Sequence, residues 1–115
     1  MPSDRVYKIC SATDWTDACR RGEFAGSADD RRDGFIHLST AEQVPGTLER
    51  HFAGTEDLIL ATFDPRALGP GLRYESSTRG TLYPHLYGPL PTGLALATHP
   101  LRLGPDGRHI LPEDY

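Results

Sequence analysis

Lysine is nearly absent from this 115-residue chain: Lys8 stands alone among 12 Lys and Arg residues. The cations are therefore arginines, and 16 Asp and Glu bring the formal net charge to -4. That balance gives no broad attraction to nucleic-acid phosphates, which excludes a general nucleic-acid-binding protein and leaves room for a local arginine patch. Cysteine is scarce too. Cys10 and Cys19 fall in an expected strand and an expected helix, and no signal-like apolar stretch precedes them, so reduced thiols in a cytoplasmic protein are expected. No apolar run approaches membrane-spanning length, so no membrane partner is expected. Internal repeats and low-complexity segments are also missing.

What is present suits a single domain over residues 1–115, with a core over about residues 5–103 and a wrap or tail over 104–115. Hydrophobic residues make up 37% and charged ones 24%, the balance of a soluble globular chain. The 12 Gly and 10 Pro cut it into short elements, which favours a loop-rich α+β domain over a helical bundle.

Along the chain, "RVYKIC" alternates as a half-buried strand, with Val6, Lys8 and Cys10 against Tyr7 and Ile9. Ser11 reads as an N-cap with Asp14 in the first turn, and Gly22 as the left-handed stop of a helix over about residues 12–21. Trp15, Ala18 and Cys19 are its expected inner face. The polar stretch from Glu23 to Gly34 reads as a mobile surface loop. "GFIHLS" is the next strand, and Ser39 with Glu42 fits a capping box. Pro45 moves the helix proper onward, with Pro45 near its first position, Leu48 and Phe52 inward and Gly54 as its stop. "DLILATF" is nearly all apolar and therefore a central strand. "LRYES" and "LALATHPLRL" alternate as strands, and Ser77–Thr81 reads as a loop. Five or six short strands and two helices, both in the first half, give an antiparallel or mixed sheet.

Three places carry chemistry. In "FIHLS", His37 and Ser39 share a face while Ile36 and Leu38 share the other. A neutral imidazole both donates and accepts, so His37 suits a hydroxyl, ribose or phosphate group; the plainer alternatives are a structural histidine and a Ser39 helix cap. In "YPHLYGPLP", Tyr83, His85 and Tyr87 alternate onto one face as polar-tipped rings of the sort that line pockets, or as aromatic packing on an irregular edge. Glu75 stands opposite Leu72 and Tyr74 on its strand, where a carboxylate near a histidine can act as a base or hold ribose hydroxyls, or simply pair with Arg73 on a solvated face. The five histidines and two cysteines show no short ligand spacing, so no metal is expected. Phosphate-cradling loops and nucleophile elbows are absent.

The segments "DWTDACRRGEF", "DGFIHLSTAEQVPGTLERHFAG", "LRYESS" and "PHLYGPLP", in this order, resemble the bacterial domain of unknown function 952 family over residues 6–101. That resemblance implies a fold like the ADP-ribosyltransferases, a split, curved antiparallel or mixed sheet around an NAD cleft. The order of "HLS", helix, "FDP" strand and "LRYES" strand is similar to RNA 2′-phosphotransferases of the KptA type, whose "HLS" lies in the NAD cleft. These likenesses imply NAD or ADP-ribose as ligand of a small enzyme of the ADP-ribosyl or phosphoryl transfer type. Glu75 and His37 are then the expected catalytic residues, with Ser39, Lys8, His85, Tyr87 and Tyr74 around the ligand. Lys8 is the nearest counterpart of the first-strand arginine or histidine of such transferases. A nucleotide-like small molecule is the expected partner, and an RNA end stays open. A non-catalytic module that keeps the pocket for binding a nucleotide or other small ligand or for interaction, and a histidine-based hydrolase or conjugating enzyme, are the competing readings.

Overall fold

The computed structural model describes residues 4–76, 80–113 and 115. Most of the loop expected at Ser77–Thr81 lies outside them. In chain order the elements are β1 (Val6–Ser11), α1 (Ala12–Arg21), β2 (Glu23–Phe24), α2 (Ala28–Asp33), β3 (Ile36–His37) and β4 (Ser39–Thr40). Then come α3 (Val44–His51), β5 (Leu58–Phe63), α4 (Pro65–Leu68), β6 (Leu72–Ser76), β7 (Leu82–Leu86), β8 (Leu90–Pro91), β9 (Ala97–Leu103) and β10 (His109–Ile110). Short 3-10 turns fill Gly69–Gly71 and Thr92–Leu94.

The class is α+β, and every strand pair among the described residues is antiparallel. Among the described residues, ten strands and four helices replace the five or six strands and two helices expected, because several pairings are only two residues long. The strands form a five-stranded sheet β10-β9-β5-β1-β4, a three-stranded sheet β3-β7-β6 and a two-stranded sheet β2-β8. The expected "GFIHLS" strand is divided between two of them. His37 pairs with His85 in the three-stranded sheet, Leu38 donates its N–H to the Pro84 carbonyl at 3.0 Å, and Ser39 pairs with Tyr7 in the five-stranded sheet.

Helix α1 has the expected ends. Ser11 accepts from the Asp14 N–H at 3.0 Å, and Gly22 closes the helix at φ 87°. Its inner face is narrower than expected: Ala18 is buried and Trp15 packs against the core, but Cys19 is exposed. The larger correction is α2. The supposed mobile loop holds a capped helix in which Ser27 accepts from the Asp30 N–H and Asp30 accepts from the Ser27 N–H. This S-x-x-D box was legible in the sequence.

The box expected at Ser39 and Glu42 does not form. Ser39 is a strand residue whose hydroxyl lies 3.1 Å from that of Thr47, and the turn closes instead from the Gln43 N–H to the Thr40 carbonyl. Gln43 also clamps this turn to β7, accepting from the Thr40 N–H and donating to the Leu82 carbonyl at 2.7 Å. Helix α3 then starts with Pro45 in its first turn, where a missing N–H costs nothing. It ends at His51, before Gly54.

Strand β5 lies between β1 and β9 and is buried along its whole length, as its apolar run requires. Strand β1 is likewise buried on both faces rather than half-buried. Two cores result. Val6, Cys10, Ile59, Ala61 and Phe63 face Phe24, Ile36, Leu38, Leu86 and Leu90, which ties the five-stranded sheet to the smaller ones. Tyr7, Ile9, Leu58, Leu60 and Leu101 face Val44 and Leu48 of α3, with Tyr115 of the C-terminal wrap against them. No helix of the described residues is long and apolar enough to cross a membrane.

Candidate functional site

Strand β7 is the axis of the site, because β3 and β6 pair with it on either side. His37 lies opposite His85, and His85 lies opposite Arg73; Tyr83 lies opposite Glu75. Directly paired residues share a face, and alternate residues of a strand return to it. His37, Arg73, Glu75, Tyr83, His85 and Tyr87 therefore occupy one face of the three-stranded sheet. Sequence alternation along "LRYES" and "YPHLY" had grouped these residues correctly strand by strand, and the register joins the groups.

Glu75 and His85 are in contact. The Glu75 Oε1 atom lies 2.9 Å from His85 Nδ1 and accepts from the Tyr87 hydroxyl at 2.7 Å. Hydrogen bonds from His85 and then Tyr87 hold the Glu75 carboxyl below its ordinary range, so it is an anion, while the same bond raises the Tyr87 hydroxyl. A carboxylate on Nδ1 fixes the orientation of the ring and leaves Nε2 as its other polar atom. Phe35 stacks on His85 with ring centroids 3.9 Å apart and lies 5.4 Å from the Tyr87 ring.

His37 stands 5.8 Å from His85, ring to ring. Its two nitrogens are both engaged: Nδ1 lies 2.7 Å from Asp30 Oδ1 and Nε2 lies 2.9 Å from Asp33 Oδ2. A ring held between two carboxylates acts as a donor in this geometry; its side chain is more exposed than that of His85, but both of its nitrogens are already taken.

Asp30 is the buried centre beneath it. Its Oδ1 also accepts from the His37 N–H at 3.0 Å, and its Oδ2 accepts from Lys8 Nζ and from the Ser27 N–H, both at 2.9 Å. Burial by itself would raise the Asp30 carboxyl. The His37 hydrogen bond, the Lys8 charge and the two backbone N–H groups overcome it and hold Asp30 well below the usual carboxylate range. Lys8 further donates to the His37 carbonyl at 3.1 Å.

Three expected ligand residues are not on this face. Lys8 is buried and neutralised by Asp30, because β1 points it into the interior between the sheets. Ser39 is buried under α3 after the strand changes sheets. Tyr74 alternates to the opposite face of β6 and is 48% exposed there. Conversely, Asp30 and Phe35 join the site without being among its expected residues. Asp30 was hidden in a polar stretch whose only signal was its capping box, and Phe35 was marked only by its i, i+2 spacing from His37. Cys10 is buried and its thiol is pushed up to about 12 by that burial, which leaves it a poor nucleophile. Among the described residues no group of three or more His, Cys, Asp or Glu side chains could hold a metal ion. A concavity of about 380 Å³ opens beside Phe35, lined by Glu23, Asp30, Arg31, Gly34 and Gly88 among others.

The family model described as protein of unknown function (DUF952) matches residues 9–97, which include every residue of this face. The chain belongs to that family. It is similar to protein CC0527 from Caulobacter crescentus, whose crystal structure is 40% identical over 92% of this chain and 93% of that one, with a TM-score of 0.88. The solution NMR structure of CC0527 is 40% identical over 94% of this chain and 91% of that one, with a TM-score of 0.83. No curated protein matches the chain. DUF952 membership assigns the chain to a family of unknown function, and the likeness to CC0527 shows the fold.

Proposed function

We propose that the β3-β7-β6 face binds a nucleotide-like ligand of the NAD or ADP-ribose type, and that the protein is an ADP-ribosyl-transfer-type enzyme. The observation that carries this reading is the shared face: Glu75 and His37, on separate strands, are brought to the same side of β7 with His85, Tyr87 and Phe35. Glu75 is anchored through one oxygen and ionised, so its Oε2 is positioned for ribose hydroxyls and for positive charge developing at the ribose as nicotinamide leaves. Phe35 and Tyr87 supply aromatic surface for a planar ring. His37, held from both sides by Asp30 and Asp33, acts as a positioning residue for β3 and Phe35. The divided antiparallel sheet is the architecture such a ligand cleft would use, and the free thiols of Cys10 and Cys19 favour a cytoplasmic setting.

Calorimetry or thermal shift with NAD, ADP-ribose and nicotinamide tests the binding, and failure of all three sinks it. Given binding, nicotinamide release is compared between wild type and Glu75→Gln. Release that falls at least tenfold in the variant supports catalysis; negligible release in both makes the protein a binding module.

A second reading rests on one contact. His85 forms a carboxylate-oriented pair with Glu75, and among the described residues nothing bonds its Nε2, the arrangement of a general base. In that case His85→Asn abolishes turnover of a hydrolysable substrate while Glu75→Gln only reduces it.

A further inference from the structure

We infer that Arg73 is the residue that holds the phosphate of the ligand on this face, an assignment that rests on the nucleotide-like reading above. An anionic ligand beside the ionised Glu75 needs a cation, and the expected one is spent. Lys8 is buried and bonded to Asp30. Arg73 stands where Lys8 cannot. It is directly opposite His85 in the β6–β7 register, so its side chain leaves the sheet on the site's own face. Its guanidinium carbon lies 5.2 Å from the centroid of the Tyr87 ring. Stacking of that kind orients the planar group and leaves its N–H edge open. Tyr87 in turn donates to Glu75 Oε1 at 2.7 Å, so guanidinium, ring, carboxylate and imidazole are linked in one row.

Arg73 is also uncommitted. Among the described residues it makes no ion pair, whereas Arg20, Arg32 and Arg66 each have an aspartate partner. An arginine that is oriented but not neutralised suits a phosphate ester, which it can take with two parallel N–H···O bonds. The spacing fits as well. Arg73 and Glu75 are two residues apart on one strand, about 7 Å, the span of a nucleotide from its ribose hydroxyls to its 5′-phosphate. Glu75 then selects the ribose and Arg73 the phosphate.

The test uses the full chain as wild type, Arg73→Met, Arg73→Lys and Arg102→Met, the last a control for removing one exposed charge on β9. Each is titrated with ADP-ribose, nicotinamide riboside and inorganic pyrophosphate at one fixed ionic strength. Arg73→Met is expected to weaken ADP-ribose and pyrophosphate by about tenfold or more while leaving nicotinamide riboside unchanged. Arg73→Lys should fall between, and Arg102→Met should match wild type. Equal ADP-ribose affinity in wild type and Arg73→Met overturns the assignment and leaves the nucleotide reading standing. So does a loss that extends to nicotinamide riboside. Pyrophosphate binding that depends on Arg73, with neither nucleoside compound bound, keeps the anion site and overturns the nucleotide reading. Failure of all three ligands overturns both.

Discussion

Asp30 is a buried anion that satisfies three N–H groups and one ammonium at once, and its removal is therefore costly. In Asp30→Asn the Lys8 charge loses its partner in the interior, and the protein should lose about 3–5 kcal/mol of stability in urea unfolding. Lys8→Met in the same chain should recover part of that loss, but not the bonds to the Ser27 and His37 amides. The sign of the pH dependence follows from the depressed carboxyl. The Asp30 contribution is fully present above the unfolded carboxylate value near 3.8 and is lost as pH falls below it, so the wild-type Tm should drop more steeply on acidification than that of Asp30→Asn. Tyr7 gives the opposite case. Its hydroxyl is buried and finds no partner among the described residues, and burial pushes its pKa up, which keeps it neutral. Tyr7→Phe should be neutral or stabilising by up to about 1 kcal/mol, read from the urea midpoint, because it removes an unsatisfied group and keeps the ring against Tyr115. Neither Asp30 nor its partner Lys8 announces this in the sequence. Lys8 sits in a plainly alternating strand and Asp30 in a run of charges, and their pairing across 22 positions is a fact of packing.

At the scale of elements, β6 and β7 must stay in register for Arg73, Glu75, His85 and Tyr87 to meet. Gly71 sets the entry to that pair. Its carbonyl accepts from the Tyr87 N–H at 2.8 Å, and a Cβ added to it would lie 2.8 Å from the Tyr87 carbonyl oxygen. That neighbour is backbone and cannot turn aside. Gly71→Ala should cost about 1–3 kcal/mol by chemical denaturation and shift the amide resonances of Tyr87 and Glu75 together, as strained close contacts do. The ends of α1 were legible because a cap is a local device: Ser11, Asp14 and Gly22 act within one turn of the backbone they serve. The same rule, applied to Ser27 and Asp30, would have found α2. It misled at Ser39 and Glu42, where pairing of Ser39 with Tyr7 and the Gln43 clamp on β7 outweigh a local hydrogen bond.

Across the whole molecule, β1 and β5 hold two cores apart and together, since both strands are buried on both faces. Among the described residues strand β6 pairs only with β7, at the edge of the three-stranded sheet. Native-state hydrogen exchange should therefore show the greatest protection at Ile9, Leu60 and Ala61 and far less along Leu72–Ser76, since central strands open only with the whole molecule. Comparable protection in β6 and β5 would contradict this. The same layout explains why the site forms where it does. The five-stranded sheet and its cores fix β3 through Lys8 and Asp30, while the face that carries Glu75 and Arg73 stays open to solvent.

The sequence by itself determined the α+β class, the α1 helix with its caps, the central β5 strand, and the alternation that groups Tyr83, His85 and Tyr87 on one side of their segment and sets Glu75 opposite Leu72 and Tyr74. Each depends on hydrogen bonds or side-chain periodicity within a few residues. Only the tertiary structure decided that "GFIHLS" serves two sheets, that Lys8 and Ser39 turn inward, and that Asp30 joins β1, α2 and β3. Those outcomes turn on which distant groups can satisfy a buried charge or an unpaired strand, and that choice is made by packing across the whole chain.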